Sequence, residues 1–508
     1  MGKTGSGKTV LISDFIQQLI ERGEKIIIND IKGDFITMFY REGIDHIFNP
    51  YDERCLKWNL FNDIDACDYP TERELITTNI ASSIVPPSER DDFWLIGVRL
   101  LIKAIYDFVT QFAPITKDKK MRNNNIIYQL ATLDFATIRK VVSQVNPKLE
   151  DVIPPEGESN AMSGQASGIL GHFSEYLPVL RDLARIDGDF SIKKWVNGEI
   201  GGNIFITSME SVKEALKPSL SLFVNMLITE VLSLSDDSSR RIYLILDEFG
   251  ALQKIPMIID GLTLGRSKGL SILVAGQDLA KIEEIYGEHL TRTLVNSCNT
   301  KIILGLSDDK TAETFANLFG EHELYETRLS LNYQTTESQS EAVNITSYKT
   351  ILPSEITNLK ELHFFATIGD GKIYTGHGII KNYPKTGVAR FKPFGGNLLK
   401  ILTEDERLKY SSPLYRQKQN KENFLKETEQ GIEFDIEKAI PESVENIKKE
   451  TEKSFEIANK FRKKTEVNYT MQMKTYEKLI KMTKKRTAEF LNEKIQKFQD
   501  LKKELGKI

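Results

Sequence analysis

Apolar positions fall into two textures along the chain. In the first texture, short β-branched runs sit between polar, glycine-containing loops. Lys25-Ile26-Ile27-Ile28-Asn29-Asp30 is apolar on both faces, which predicts a buried parallel strand rather than a half-solvated one. Gly202-Asn203-Ile204-Phe205-Ile206, Arg241 to Glu248, Leu270 to Gln277 and Thr300 to Gly305 read as further strands. His363 to Thr367 and Ile373 to Ile380 are expected to close the same domain. Helical spacing between these runs, over 10–22 and from Ala215 to Leu234 with Pro218 in the first turn, argues for an α/β domain wound around a parallel sheet. In the second texture, from about 66 to 195, helical periodicity dominates. Phe93 to Phe108 is apolar on most sides, Asp134 to Val145 and His172 to Ala184 are amphipathic, and Pro178 is expected to kink or split the last. Residues 325–348, rich in Ser and Thr, predict an exposed loop or hairpin.

The organisation this predicts is a first α/β segment over 1–65, an all-α insertion over 66–195, the remainder of the α/β domain over 196–385, and a charged extension over 386–508. The extension supports two readings. Its apolar spacings (Met473, Tyr476, Ile480; Leu491, Ile495, Phe498) suit an amphipathic docking helix or short coiled coil. The interruptions at Thr483, Thr487 and Lys502 suit a solvated, partly disordered helix.

The loops at strand ends carry the candidate chemistry. Gly2-Lys3-Thr4-Gly5-Ser6-Gly7-Lys8-Thr9 fits G-x-x-x-x-G-K-[ST]. A triphosphate must be wrapped closely, and residues without side chains let backbone N–H groups turn inward to do so. Lys8 would neutralise the β- and γ-phosphates, and the Thr9 hydroxyl would ligate Mg²⁺. Leu244-Ile245-Leu246-Asp247-Glu248 ends a buried strand in two carboxylates. Asp247 is placed to hold Mg²⁺ through water, and Glu248, one residue on, to orient the attacking water as general base. Alone, such a pair is equally an N-cap; the upstream glycine-rich loop favours the catalytic role. Gln277 ends the next strand, where a γ-phosphate sensor is expected, though a strand-end amide also serves to bind a loop. Arg266, in Gly265-Arg266-Ser267-Lys268-Gly269, reads either as a solvated surface arginine or as an arginine finger acting in trans.

Composition changes this picture little, and charge distribution more. The chain has 508 residues, too many for one ordinary domain, with 40% hydrophobic and 28% charged residues. Of a net charge of −4, the segment from Glu442 to the end carries +7, with 18 Lys/Arg against 11 Asp/Glu, so the rest of the chain is acidic. A basic extension suits DNA or anionic lipid, while an acidic body argues against a large external basic face. Three cysteines without metal spacing fit a reducing compartment. No run approaches 18 apolar residues and no signal peptide is visible.

Taken in order, these segments resemble the conjugative coupling proteins of type IV secretion systems, within the class of ring-forming DNA-pumping ATPases. The resemblance covers 1–380. Besides the segments above it includes Asn29 to Asp34, Phe48 to Arg54 with Trp58-Asn59, Asp92-Phe93-Trp94 with Gly97 and Arg99, Gly276-Gln277-Asp278, Ile285-Tyr286-Gly287 and Leu352 to Ile356. It implies a RecA-like P-loop domain with an inserted all-α domain. It also implies a homo-hexamer at the cytoplasmic face of the bacterial inner membrane that hydrolyses ATP with Mg²⁺. Such a ring would pass single- or double-stranded DNA, with its relaxase or relaxosome, to the components of a secretion channel. Membrane attachment would run through a segment not in this chain.

Two other readings compete: an FtsK/HerA-type pump in segregation or element mobilisation, and a recruitment scaffold that binds nucleotide without hydrolysis. The second predicts a degenerate Walker B or P-loop lysine, and neither is present. A P-loop ordinarily hangs from a buried strand, and only Met1 precedes Gly2. The expectation is therefore a fragment or misassigned start, with the loop positioned only by the helix after it.

Overall fold

Four of the apolar runs, those beginning at Lys25, Gly202, Arg241 and Leu270, align with a short strand at 46–48 as one parallel sheet in a computed structural model that describes residues 1–67, 69–87, 93–112, 122–133, 135–145, 164–332 and 338–395. The chain opens on α1 (Lys8–Glu21), β1 (Lys25–Asp30), α2 (Ile36–Phe39) and β2 (His46–Phe48). Between β2 and β3 every described element is a helix: α3 (Leu60–Ile64), α4 (Pro70–Ile84), α5 (Phe93–Phe112), α6 (Asn124–Ala131), α7 (Phe135–Val145), α8 (Gly164–Arg185) and α9 (Ile192–Asn197). The α/β alternation then resumes with β3 (Ile204–Thr207), α10 (Lys213–Ser233), β4 (Ile242–Leu246), α11 (Ile258–Leu264), β5 (Leu270–Val274), α12 (Ala280–Tyr286), α13 (Glu288–Ser297), β6 (Thr300–Leu304) and α14 (Asp309–Leu318). A ribbon of β7 (Glu321–Asn332) and β8 (Ser338–Lys349) follows, then α15 (Pro353–Thr357), β9 (His363–Ile368) and β10 (Ile373–His377). Beyond residue 395 the charged extension lies outside the described residues.

The main sheet has the order β2-β3-β1-β4-β5, with β1 at its centre. Ile27 pairs with Ile204 on one side and Leu244 on the other. Burial on both faces is what a continuous isoleucine run is suited to, and Ile26, Ile27 and Ile28 are all inaccessible to solvent. A second sheet, β10-β9-β6, is antiparallel. The Ser- and Thr-rich stretch is the two-stranded ribbon, in register from Glu321↔Lys349 to Asn332↔Ser338.

α10 is the described helix long and apolar enough to cross a membrane by length and composition, and it is instead largely buried in the protein. Phe223, near its middle, stacks on Phe48 at 4.1 Å and meets Trp58 edge-on at 5.1 Å. Sheet, α10 and helical insertion thus share one apolar core. The same core explains Pro178. A proline inside a helix removes a hydrogen bond and costs roughly 3 kcal/mol, yet α8 runs through it without a break from Gly164 to Arg185. Phe173, Val179, Leu180 and Leu183 around it are all buried. Their packing holds the helix in one piece, so of the kink or split expected at Pro178 the split does not occur.

After β10 the chain crosses the surface of the first α/β segment as an extended strap. Lys381 pairs with Asp14 of α1, Thr386 N–H donates to Thr37 O (2.8 Å) and Arg390 meets Asp34 at 2.7 Å. Glu53 N–H donates to Lys392 O and Lys392 N–H to the Asp52 carboxylate, both at 3.0 Å. Phe394 N–H donates to Tyr51 O at 2.9 Å.

Where α10 meets the insertion, two carboxyls lie buried. Asp63 accepts from Trp58 Nε1 (2.8 Å), Ser191 Oγ (2.6 Å) and Lys193 N (3.0 Å). Glu230, 4% exposed, is pushed up to about 8 by burial and then by the Asp63 charge. The folded state therefore binds a proton that the unfolded chain has released above about 4.5. Stability should fall as pH rises through the window from there to 8. Denaturant titrations at pH 5 and pH 8 should show wild type losing more stability across that interval than Glu230→Gln; equal losses would remove this role for Glu230.

Candidate functional site

The glycine-rich loop is anchored before its helix begins. Met1 N donates to Ile302 O (2.8 Å) and Leu304 N to Met1 O (2.9 Å), tying the first residue to β6. Gly2 N donates to Gly276 O (3.1 Å), just past β5, and Lys3 N to Gly305 O (2.8 Å), just past β6. Leu362 N closes the far side on Ser6 O (3.0 Å). The expectation that α1 alone positions the loop is thus corrected: backbone bonds to the ends of two strands fix it as well. The turn needs its glycines sterically. A Cβ at Gly2 would lie 2.5 Å from Ser6 Oγ and 2.9 Å from Leu304 Cβ. Gly7, at φ 104°, caps α1 in a left-handed conformation with Leu362 Cδ2 2.5 Å from where its Cβ would sit. Lys8 and Thr9 follow as the first residues of α1, so the loop ends on free N–H groups and the positive end of the helix dipole.

Lys8 reaches across to the end of β4. Its Nζ lies 3.8 Å from Glu248 Oε2 and is buried without a hydrogen-bond partner. Burial lowers its pKa, and the Glu248 and Asp247 carboxylates oppose that. Burial likewise raises the Asp247 carboxyl against the pull of Lys8. The Asp247 carbonyl accepts from the Asn29 amide at 3.1 Å, locking the ends of β1 and β4 together. Glu248 stands at φ 55°, ψ 58°, a left-handed backbone conformation that costs a residue with a side chain roughly 1–2 kcal/mol. Gln277 Nε2 donates to Glu248 Oε2 (3.0 Å), and Thr4 Oγ1 donates to Gln277 Oε1 (3.4 Å). Thr4, Lys8, Asp247, Glu248 and Gln277 are therefore brought together at the C-terminal ends of the parallel strands, where open α/β sheets collect ligands. Beside them opens a cleft of about 570 Å³.

Arg266 is placed elsewhere. It lies exposed in a 3₁₀ turn, Gly265–Lys268, that leads into the start of β5, whereas Gln277 follows that strand's other end. The sheet separates Arg266 from the loop of its own chain.

Several cleft residues gave no signal in the sequence. Lys213, Lys217 and Lys281 line it together with Glu210 and Glu214, beside Lys32 of the Asn29 to Asp34 segment noted in the sequence. Isolated charges on helices and loops have no distinguishing spacing. Asp30, in that same segment, has a structural part. It is 1% exposed and accepts from Asp34 N (2.9 Å) and Ile36 N (2.7 Å), and burial pushes it up to about 7. It shapes the 31–35 turn at the cleft's edge, and its position ending β1 was the available sign.

A family profile described as "Type IV secretion-system coupling protein DNA-binding domain" matches residues 1–373. The coupling protein TraD of Escherichia coli K12 is 24% identical over 382 residues, covering 72% of this chain and 50% of its own. A conjugal transfer protein TraG of Escherichia coli is 24% identical over 356 residues, covering 63% and 54%. The chain thus spans about half the length of these curated relatives. Among solved structures, the unbound monoclinic form of the conjugative coupling protein TrwBdeltaN70 is 28% identical, with a TM-score of 0.64 over 77% of this chain and 86% of that one. TrwB in complex with ADP and Mg²⁺ is 28% identical, with a TM-score of 0.63 over 77% and 86%.

The geometry of Gly7 gives a direct test. Gly7→Ala should weaken binding of a non-hydrolysable ATP analogue more than tenfold in calorimetry, since both the backbone and Leu362 must move to admit the methyl group. Affinity within twofold of wild type would show that the turn is not what holds phosphate.

Proposed function

The chain belongs to the type IV secretion coupling-protein family, and we propose that it is an ATP-driven motor that moves DNA toward a type IV secretion channel. One observation carries the nucleotide part: the buried, unpartnered Lys8 ammonium, which faces two carboxylates at the mouth of a glycine cradle. A buried ammonium whose N–H donors have no acceptor is costly even beside carboxylates, and a polyphosphate seated on the loop N–H groups relieves that cost. Solved relatives bound to ADP with Mg²⁺ and to non-hydrolysable ATP and GTP analogues support the same reading.

The residues fit Mg-ATP, and their roles divide as follows. Gly2 to Thr9 bind the phosphates, with Lys8 on the β- and γ-groups. Thr9 and Asp247 are the residues that would hold Mg²⁺, which when bound neutralises charge developing on the phosphate oxygens. Glu248 orients a water and accepts its proton as that water attacks the γ-phosphorus. Gln277, already bonded to Glu248, reports the γ-phosphate to that base. Arg266 acts on the site of a neighbouring copy, because it stands at the opposite end of β5 from its own. This in-trans role requires a ring or other closed assembly, and the proposed one is a homo-hexamer.

The family supplies the context of the work: DNA and conjugation machinery as partners, and association with the inner membrane. Within it we propose relaxase-bound DNA as cargo, stimulation of hydrolysis by that DNA, and a station on the cytoplasmic side of the membrane.

ATP hydrolysis by purified protein with and without single-stranded DNA tests the motor. Wild type should be stimulated by DNA. Lys8→Ala and Glu248→Gln should each lose on the order of 10²–10⁴ of kcat. Equal low rates in wild type and Lys8→Ala, with or without DNA, would leave a non-hydrolysing scaffold as the better account. Arg266→Ala should keep analogue binding yet lose on the order of 10³ or more in turnover. Mixing it with Lys8→Ala subunits should restore part of the rate, since each supplies what the other lacks. No recovery in mixtures that assemble would overturn the in-trans role.

A further inference from the structure

A buried polar cluster joins the segment after Glu248 to the helical insertion. The segment is held stiffly along its length. Phe249 N–H donates to Ala275 O (2.8 Å), and the Phe249 ring stacks on Tyr286 at 5.3 Å. The Tyr286 hydroxyl in turn accepts from Ile255 N (2.9 Å). Between these anchors Gln253 turns toward α4, where its Nε2 donates to Ser83 O at 2.5 Å. That carbonyl lies in the last turn of α4, whose carbonyls have no partner within the helix. Gln253 therefore caps α4 from a distance of 170 residues in sequence.

α10 passes between the two and bonds to both. Gln253 N donates to Ser221 Oγ (3.0 Å) and Met257 N to Asn225 Oδ1 (2.9 Å). Asn225 Nδ2 donates to Ser83 Oγ (2.8 Å), which donates onward to Asn79 O (2.6 Å). Ser221 and Asn225 are one turn apart on the same face of α10, and both, with Ser83, are at most 1% exposed. In a low-dielectric interior such a network tolerates little change in geometry, because each lost bond leaves a polar group unsatisfied. A displacement at one end must be followed at the other.

The upper end has a reason to move. Glu248 is held in its left-handed backbone conformation with its carboxylate on Lys8 and Gln277. A phosphate seated on Lys8 would compete with Glu248 for that ammonium. We infer that Gln253, Asn225 and Ser83 are positioning residues that transmit occupancy of the nucleotide site to the end of α4, and so to the helical insertion. The inference rests on reading residues 2–9 as a nucleotide site and adds to it a route by which a second body of the protein feels the nucleotide.

Hydrogen–deuterium exchange of the full chain, with and without a non-hydrolysable ATP analogue and Mg²⁺, tests it. In wild type the analogue should slow exchange in peptides from 2–12, and also about fivefold or more in peptides from 70–86, a size usual for coupled sites. Gln253→Met keeps the length and loses the donor; it should retain the first response and lose the second. Where that variant does not fold, Ser221→Ala, which removes only the acceptor for Gln253 N, should weaken the second response in the same way. An unchanged 70–86 region in wild type whose 2–12 region is protected overturns the inference. So does a variant with the wild-type response in both. An analogue that protects neither region overturns the nucleotide site itself, and the inference falls with it.

Discussion

The position of one ammonium group organises the site. Lys8 is carried into a buried place by the first turn of α1, and two carboxylates, 3.8 Å away at the nearer, oppose the lowering of its pKa by burial without hydrogen-bonding it. Everything around it serves that placement. Backbone bonds from Met1, Gly2 and Lys3 to the ends of β5 and β6 set the loop, and Leu362 closes it from outside. Asn29 locks β4 against β1, so the Asp247-Glu248 pair cannot drift from it. A buried ammonium with no hydrogen-bond acceptor is the least satisfied group of the site.

Much of this was legible in the sequence, for a definite reason. Strand-end chemistry is local: an isoleucine run fixes burial, burial fixes where the run stops, and the polar residue just beyond must face the sheet's edge. Asp247, Glu248 and Gln277 follow from that logic, and so does the alternation of α/β and all-α stretches. Two kinds of feature did not follow. Pro178 was weighed on local preference, and the apolar neighbours packed about α8 outweighed it. The Gln253–Ser83–Asn225 cluster was invisible because each partner is ordinary alone and Ser83 stands 142 residues from Asn225 and 170 from Gln253. Amides and hydroxyls carry no periodic signature, so only the fold assembles them.

The same contrast separates the two halves of the site. The glycine-rich turn is written in adjacent residues, as a backbone turn must be. The cleft's lysines and glutamates come from α10, α12 and the β1 loop, and only their convergence gives them meaning. Arg266 shows the limit in the other direction: its residue type and loop were recognised, and the strand polarity of β5 then places it away from its own site.

The strap also has a mechanical meaning. It is held by contacts spaced along its length, from Phe394 and Lys392 at Tyr51 to Glu53, through Arg390 on Asp34 and Thr386 on Thr37, to Lys381 on Asp14. A pull on the chain beyond residue 395 loads the Phe394 end first. Contacts loaded in series open one after another, each at low force, like a zip. Tension from that side would therefore be felt first at the root of the helical insertion, next at the Asp34 turn beside the cleft, and last at α1. The surface crossing works as a graded fuse that yields stepwise before the buried sheet bears any load.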